Sequence, residues 1–324
     1  MLTFLSTFGS LHFESHYYEV PLNKRFYMKF GSVDNPENID FTLPPDHIDT
    51  SRVLNLAKDD NEPEYYVGCA KWNRADLKGF YPRGTKDELS YYSRQFNSIE
   101  LNATFYRIFP PEQFATWYEK VPDQFRFFPK INQEISHWKR LNEVKTVVDD
   151  YLHSASQLKE KLGTVFLQMH NNFSPRDFDR VIGFVESWPK EIPLAVEFRH
   201  TDWYNDEAVA NQVYDLLEKN DVTNIIVDTA GRRDLMHMRL TNPKAFIRYV
   251  GANHPSDYSR LDDWIARLKE WKEQGIKEID FFVHQNIEKE SPLLSTYFIK
   301  KLNLELNANL KIPNDSDQQK LLSL

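Results

Sequence analysis

The chain is short of cysteine, of glycine and of positive charge. Cys69 is the single cysteine in 324 residues, which excludes an intrachain disulfide framework and a cysteine-based zinc site and points to a reducing compartment, the cytoplasm. The 10 glycines supply no G-x-G-x-x-G after a first strand and no P-loop, so the phosphate cradles of doubly wound nucleotide-binding folds are missing. There is no H-E-x-x-H and no nucleophile elbow. With 40 Lys and Arg against 48 Asp and Glu, the formal net charge is −8; this excludes a broad basic face for non-specific nucleic-acid binding and leaves room for a local cationic pocket. No apolar run approaches the roughly 18 residues of a membrane span. The opening MLTFLSTFGSLHFESHYYEV lacks the basic region and small-residue cleavage site of a secretory signal.

What is present is a large globular core, with 41% hydrophobic and 14% aromatic residues. Residues 1–60 read as an irregular N-terminal arm, with turn chemistry at Asp34-Asn35-Pro36, Leu43-Pro44-Pro45-Asp46 and Lys58-Asp59-Asp60-Asn61. From residue 65 onward eight short apolar runs alternate with helical patterns: 65–70, 98–105, 125–131, 164–169, 193–199, 224–229, 245–251 and 278–284. Helical spacing covers Thr85 to Gln95, Pro111 to Lys120, Val144 to Leu162, Pro175 to Trp188, Asp206 to Asn220, Asp257 to Gln274 and Ser291 to Leu302. Alternating strand and helix over this length predicts an α/β fold, a single-domain (β/α)8 TIM-type barrel over 61–304, followed by a polar C-terminal tail over 305–324. An open doubly wound sheet is the alternative. The sixth unit is the exception, because AGRRDLMHMRLTNPK holds a helix poorly and reads as a long loop over the barrel mouth.

The run Pro193 to His200 is the clearest marker of a site. Side chains alternate faces along a strand, so Leu194, Val196 and Phe198 share one face while Ala195, Glu197 and Arg199 share the other. The same alternation gives an inward set of Glu100, Asn102 and Thr104, with Tyr106 just beyond, then Lys130, Gln168, His170, Glu197, Arg199, Asp228, Arg248 and His284. In a barrel such positions at the C-terminal strand ends build the active site. Lys130, Arg199 and Arg248 suit an anion, a phosphate or carboxylate, over which Arg232 or Arg233 could close. Glu197 or Asp228 would be a general base and His137 or His284 a proton carrier, as for phosphoester hydrolysis. The alternative is a non-catalytic ligand-binding or interaction barrel, whose partner surface would lie around Tyr17-Tyr18 and Phe26-Tyr27. In either case the charges could simply pair with one another. His170, His200 and His284 with the carboxylates supply ligand types for zinc or manganese without metal-site spacing, and no metal or other cofactor is assigned. Glu100 and Glu197 could form a glycosidase pair. Lys130 could form a Schiff base, although two carboxylates in the same interior would raise its pKa. Trp72 and Trp203 are candidates for stacking on a sugar or base. Oligomeric state is not legible.

G-C-A-K-W (68–72), G-F-Y-P (79–82), F-N-S-I-E-L-N-A-T-F-Y (96–106), the series Trp117, Pro122, Phe125, Lys130, His137, E-F-R-H before Trp203, and Asp228 with Arg232 resemble the YecE-like family, domain of unknown function seventy-two. The resemblance runs from about residue 65 to 303 and implies a TIM-type barrel without a general activity. It marks Glu100, Asn102, Tyr106, Lys130, His137, Glu197, Arg199, His200, Asp228 and Arg248 as matching polar positions. A suggested relation of such folds to metal-dependent barrels that cut damaged DNA implies nucleic acid as a further partner. The chain departs from the family where relatives carry Phe-Asn-Asn, having His284-Gln285-Asn286, and where they carry His-Gly, having Val250-Gly251. The stretch beginning at Met28 resembles the natural start of relatives, which would make residues 1–27 an added leader or an upstream start.

Overall fold

A computed structural model describes residues 31–314; the expectations placed on residues 1–27, Tyr17-Tyr18 and Phe26-Tyr27 lie outside the described residues. Each of the eight apolar runs forms a strand, the sixth in two pieces. They are β1 Glu64–Cys69, β2 Ser98–Leu101, β3 Arg126–Pro129, β4 Val165–Gln168, β5 Leu194–Glu197, β6 Thr223–Asn224, β7 Ile226–Thr229, β8 Lys244–Gly251 and β9 Glu278–Gln285. Every ladder is parallel, in three sheets ordered β1-β9-β8-β7, β2-β3 and β4-β5-β6. The ladders therefore do not form one unbroken ring. β3 and β4 are joined by the isolated bridges Phe127↔Leu162 and Lys130↔Phe166. β6 and β7 are separated by Ile225 alone, whose N–H donates to the Val196 carbonyl at 2.9 Å.

Between β1 and β2 side chains take over from the backbone. Asn97 Oδ1 accepts the Val67 N–H at 3.0 Å and its Nδ2 donates to the Tyr65 carbonyl at 2.6 Å. The Tyr92 hydroxyl accepts the Cys69 N–H at 2.7 Å and donates to the Ser98 carbonyl at 3.1 Å. Gly68 is demanded by this seam, since a Cβ there would lie 2.2 Å from the Ser98 oxygen.

The helices are α1 Ile48–Leu56, α2 Glu88–Tyr92, α3 Ala103–Tyr106, α4 Pro111–Lys120, α5 Lys145–Ala155, α6 Phe178–Ser187, α7 Asp202–Asn205, α8 Glu207–Lys219, α9 Ser256–Gln274 and α10 Ser291–Leu306. Their ends follow local chemistry. The Asp206 carboxylate accepts the Ala208 and Val209 N–H groups to start α8, and Gly275 at φ 115° ends α9. The long helix expected over 144–162 stops earlier, at Ala155, and continues as a 3-10 turn containing Lys159 at φ 49°.

Residues 31–60 are less irregular than their sequence suggests, because α1 lies within them. Thr50 Oγ1 donates to the Met238 carbonyl and accepts the Leu240 N–H, Arg52 forks onto Glu218 of α8 at 2.8 and 2.9 Å, and Lys58 Nζ donates to the Glu273 carbonyl of α9. α1 thus occupies the place between α8 and α9 that strand–helix alternation reserves for a helix after β7. The segment expected there as a loop is a 3-10 turn, Ala230–Leu235, followed by buried Met238 and Leu240. At the other end, residues 307–314 are docked: Asn303 exchanges two hydrogen bonds with Leu310, and the Asn314 N–H donates to Gln95 Oε1.

Strand alternation divides the apolar residues into two cores. The larger lies between strands and helices and takes Val165, Leu167, Leu194, Val196, Ile226, Ile247 and Phe281. The smaller gathers Phe128, Phe166, Ala195, Ile225, Val227, Phe246 and Phe282, with Phe128 meeting Phe282 and Phe246 at ring separations of 4.8 and 5.9 Å. The three sheets face one another across it. Two residues beyond Phe128, Phe166, Ala195, Phe246 and Phe282, still on that face, stand Lys130, Gln168, Glu197, Arg248 and His284, so a polar layer sits directly on the aromatic one.

Candidate functional site

Arg248 is the hub of the polar layer. Its Nε and Nη2 donate to Glu100 Oε2 and Oε1 at 2.9 and 2.8 Å, and its Nη1 donates to Glu197 Oε2 at 2.5 Å. One guanidinium therefore holds two fully buried carboxylates. Glu100 also accepts from Asn102 Nδ2 at 2.7 Å and lies 3.0 Å from His284 Nε2. Glu197 also accepts from Arg199 Nε at 2.5 Å and from Gln168 Nε2 at 3.0 Å. Burial pushes both acids up, but the cations outweigh it: Arg248 and His284 hold Glu100 well below the usual carboxylate range, and Arg199 and Arg248 hold Glu197 at about 2. Burial also lowers Arg199.

Lys130 is different. Its Nζ donates to Gln168 Oε1 at 2.7 Å and lies 4.2 Å from the centre of the Phe105 ring, and no described carboxylate forms an ion pair with it. Burial, then repulsion from Arg248 and Arg199, holds its ammonium well below the usual lysine range, against a smaller opposing pull from Glu197 and Glu100. This reverses the expectation that the two carboxylates would raise it: both are already committed to Arg248.

Above this layer, His137 packs against Phe105 and His170, ring centres 4.8 and 5.2 Å away, with Ser136 Oγ 2.9 Å from its Nδ1. Burial, then Lys130 and His170, lowers it to about 4, and burial also lowers His170. Tyr106 is 70% exposed at the end of α3. Arg232 donates from Nη2 to the Arg199 carbonyl at 3.1 Å while pairing with Asp234.

Four expected members are elsewhere. Asp228 faces the helical side, where Arg260 Nη2 and Trp264 Nε1 donate to it at 2.8 Å each and Arg233 completes its shell; its neighbours Ile225 and Val227 take the inner phase instead. His200 follows β5 on the outer phase and turns to the Asp202 N–H. Trp203 is buried, stacked on Phe198 with Nε1 bound to the Phe173 carbonyl, and so anchors a loop. Trp72 packs edge-on against Trp117. Among the described residues no three of His, Cys, Asp and Glu are gathered to hold a metal, since His284, His170 and His200 go to three different neighbours. Phe105 escaped sequence reasoning, because an apolar residue beside the exposed Tyr106 gives no sign that it underlies a lysine. A cavity of about 490 Å3 lined by Gln95, Asn97, Pro122 and Lys311 sits beside the starts of β2 and β3, away from this layer.

Comparison with known proteins shows the family and the fold. The Escherichia coli K12 protein YecE, of the UPF0759 group, is 26% identical over 276 residues, covering 78% of this chain and 98% of its own. YunF of Bacillus subtilis 168, also UPF0759, is 27% identical over 154 residues, 43% of this chain and 52% of its own. Crystal structures of DUF72 family proteins share the fold: one from Enterococcus faecalis V583 at TM-score 0.61, with 21% identity over 75% of this chain and 98% of that one, and one from Thermotoga maritima MSB8 at TM-score 0.60, with 25% identity over 74% and 99%. The profile described as "Protein of unknown function DUF72" matches residues 66–319, from β1 through α10, and the chain belongs to that family.

Proposed function

We propose that the strands close into an eight-stranded (β/α)8 barrel, with α1 joined to its helical layer, whose C-terminal mouth binds a small anionic ligand bearing phosphate or carboxylate. The ring reading is supported by the bridges between β3 and β4, the continuity of 223–229, and the side-chain bonds of Asn97 and Tyr92 between β1 and β2. The observation that carries the ligand reading is Lys130, a buried amine in an ionic layer whose carboxylates all have other cations. An arriving anion would meet it beside Arg199, take up a proton with it, and relieve the cost of burying an unpaired cation. Asn102, Tyr106 and Arg232 stand at the edge of this layer and complete the binding set. The buried free thiol of Cys69 suits a reducing compartment such as the cytoplasm.

Hydrolysis of a phosphoester is the finer reading, and it turns on His137. Glu197, held at about 2 and filled by three donors, is a poor base, whereas His137 is a neutral imidazole near Lys130. The saturation of both glutamates equally favours a barrel that binds without turnover. The test is phosphate-induced thermal stabilisation of the parent, Lys130→Ala and Arg199→Ala proteins, with single-stranded DNA as a second phosphate source. The proposal expects the shift in the parent alone, stronger toward lower pH; equal shifts in all three would remove it.

A further inference from the structure

Lys130 has the setting of a carbonyl-reactive amine. Gln168 fixes how it is presented: its Nε2 must donate to the Glu197 carboxylate, at 3.0 and 3.1 Å, so its Oε1 is the end turned to Lys130, 2.7 Å from Nζ. That oxygen accepts an N–H of the amine but is too weakly basic to take its proton outright, so it orients the amine without charging it. The Phe105 ring covers another side. Around it, Glu100 and Glu197 are engaged by Arg248 and Arg199, which leaves two guanidiniums as its cationic neighbours. Burial and these cations favour the neutral amine, the form with a nucleophilic lone pair.

Resting on the anion-binding reading above, we infer that the mouth takes an aldehyde or ketone that carries a carboxylate or phosphate, and that Lys130 condenses with its carbonyl. The Nζ lone pair forms a bond to the carbonyl carbon while the C=O π pair moves to oxygen, which takes a proton to give a carbinolamine. A second proton converts that hydroxyl into departing water as nitrogen releases one of its own, leaving an iminium on Lys130. The net change is one amine, one carbonyl and one proton giving one iminium and one water. Arg199 is the group to hold the anionic end, because its side chain remains 13% exposed at the edge of the layer whereas Arg248 is enclosed by its two carboxylates.

The experiment is reductive trapping with borohydride at about pH 7.5, using pyruvate and dihydroxyacetone phosphate as probes, read by intact mass and peptide mapping. An ordinary lysine keeps roughly 0.1% of free amine at that pH, so a neutral Lys130 should dominate the adducts by about a hundredfold or more. Lys130→Arg and Lys130→Met should lose that adduct, and inorganic phosphate should compete with it in the parent. Because the map on the parent locates the adduct directly, the result does not depend on the variants folding. Labelling spread evenly over the lysines would overturn the inference. Phosphate stabilisation without any Lys130 adduct would overturn the carbonyl step and leave the anion reading standing; an adduct untouched by phosphate would keep the Lys130 step and remove the anion reading; neither signal would remove both.

Discussion

Replacing Arg248 with Met tests whether the polar layer is built on one guanidinium. The variant removes three hydrogen bonds to carboxylates that are at most 1% exposed. Breaking a buried ion pair by taking away one partner costs about 3–5 kcal/mol, chiefly for the charge left behind. Glu197 keeps Arg199 and Gln168, and Glu100 keeps Asn102 and His284, so the loss should be about 4 kcal/mol, carried mostly by Glu100. Urea unfolding at pH 7 would read it as a lowered midpoint. The pH dependence is the sharper readout. In the parent both acids are depressed, so their contribution is present above about 4.5 and is lost as pH falls towards 2. In the variant burial dominates and raises Glu100, so the folded state binds the extra proton and the variant gains stability on acidification. The gap between the two proteins should narrow from pH 7 to 5. Adding Glu100→Gln and Glu197→Gln to Arg248→Met should recover most of the loss, since the burial cost then falls on neutral amides. A loss under about 1 kcal/mol at pH 7, or a gap that does not change with pH, would refute this account.

Gly68→Ala should destabilise by about 2 kcal/mol or more, because the new methyl lies 2.2 Å from the Ser98 oxygen at the seam; an unchanged melting temperature would show that β1 and β2 separate freely. Asp228→Asn should cost about 3 kcal/mol by removing the charge that pairs with Arg233 and Arg260, although Arg260 keeps Asp257, while the phosphate-induced shift stays as in the parent, and loss of that shift in a folded protein would return Asp228 to the polar layer. Stability should fall as pH drops from about 6.5 to 4, since His137 and His237 are both lowered to about 4 by burial and the unfolded chain binds their protons first. A flat unfolding midpoint over that window would contradict their burial.

The strand positions and inner phase were legible because a two-residue period leaves its mark on every run: 194–198 split between the two faces as its alternation requires. Glu100, Lys130, Glu197, Arg248 and His284 meet for that reason. Asp228 was misplaced because the inner phase of its strand is apolar, Ile225 and Val227, so that a polar residue marked the outer side. What the sequence could not reveal was who pairs with whom. Nothing local says that Arg248 takes both glutamates, and the electrostatic standing of Lys130 depends entirely on that choice. α1 was equally hidden: nine residues with two strongly buried apolar positions, Val53 and Leu54, give little periodicity, and its partners lie far away along the chain.

That distance has a consequence during synthesis. Lys58, just past α1, bonds to Glu273, 215 positions later, so at about 5–20 residues per second α1 waits roughly 10–40 s before α9 exists to receive it. Until then α1 has only α8 and the 238–240 segment to bind, and its place between α8 and α9 is open on one side. The segment that looks most like an appendage is therefore placed long after it is made, and a nascent chain that captures it elsewhere would emerge complete in length but with one side of its helical layer open.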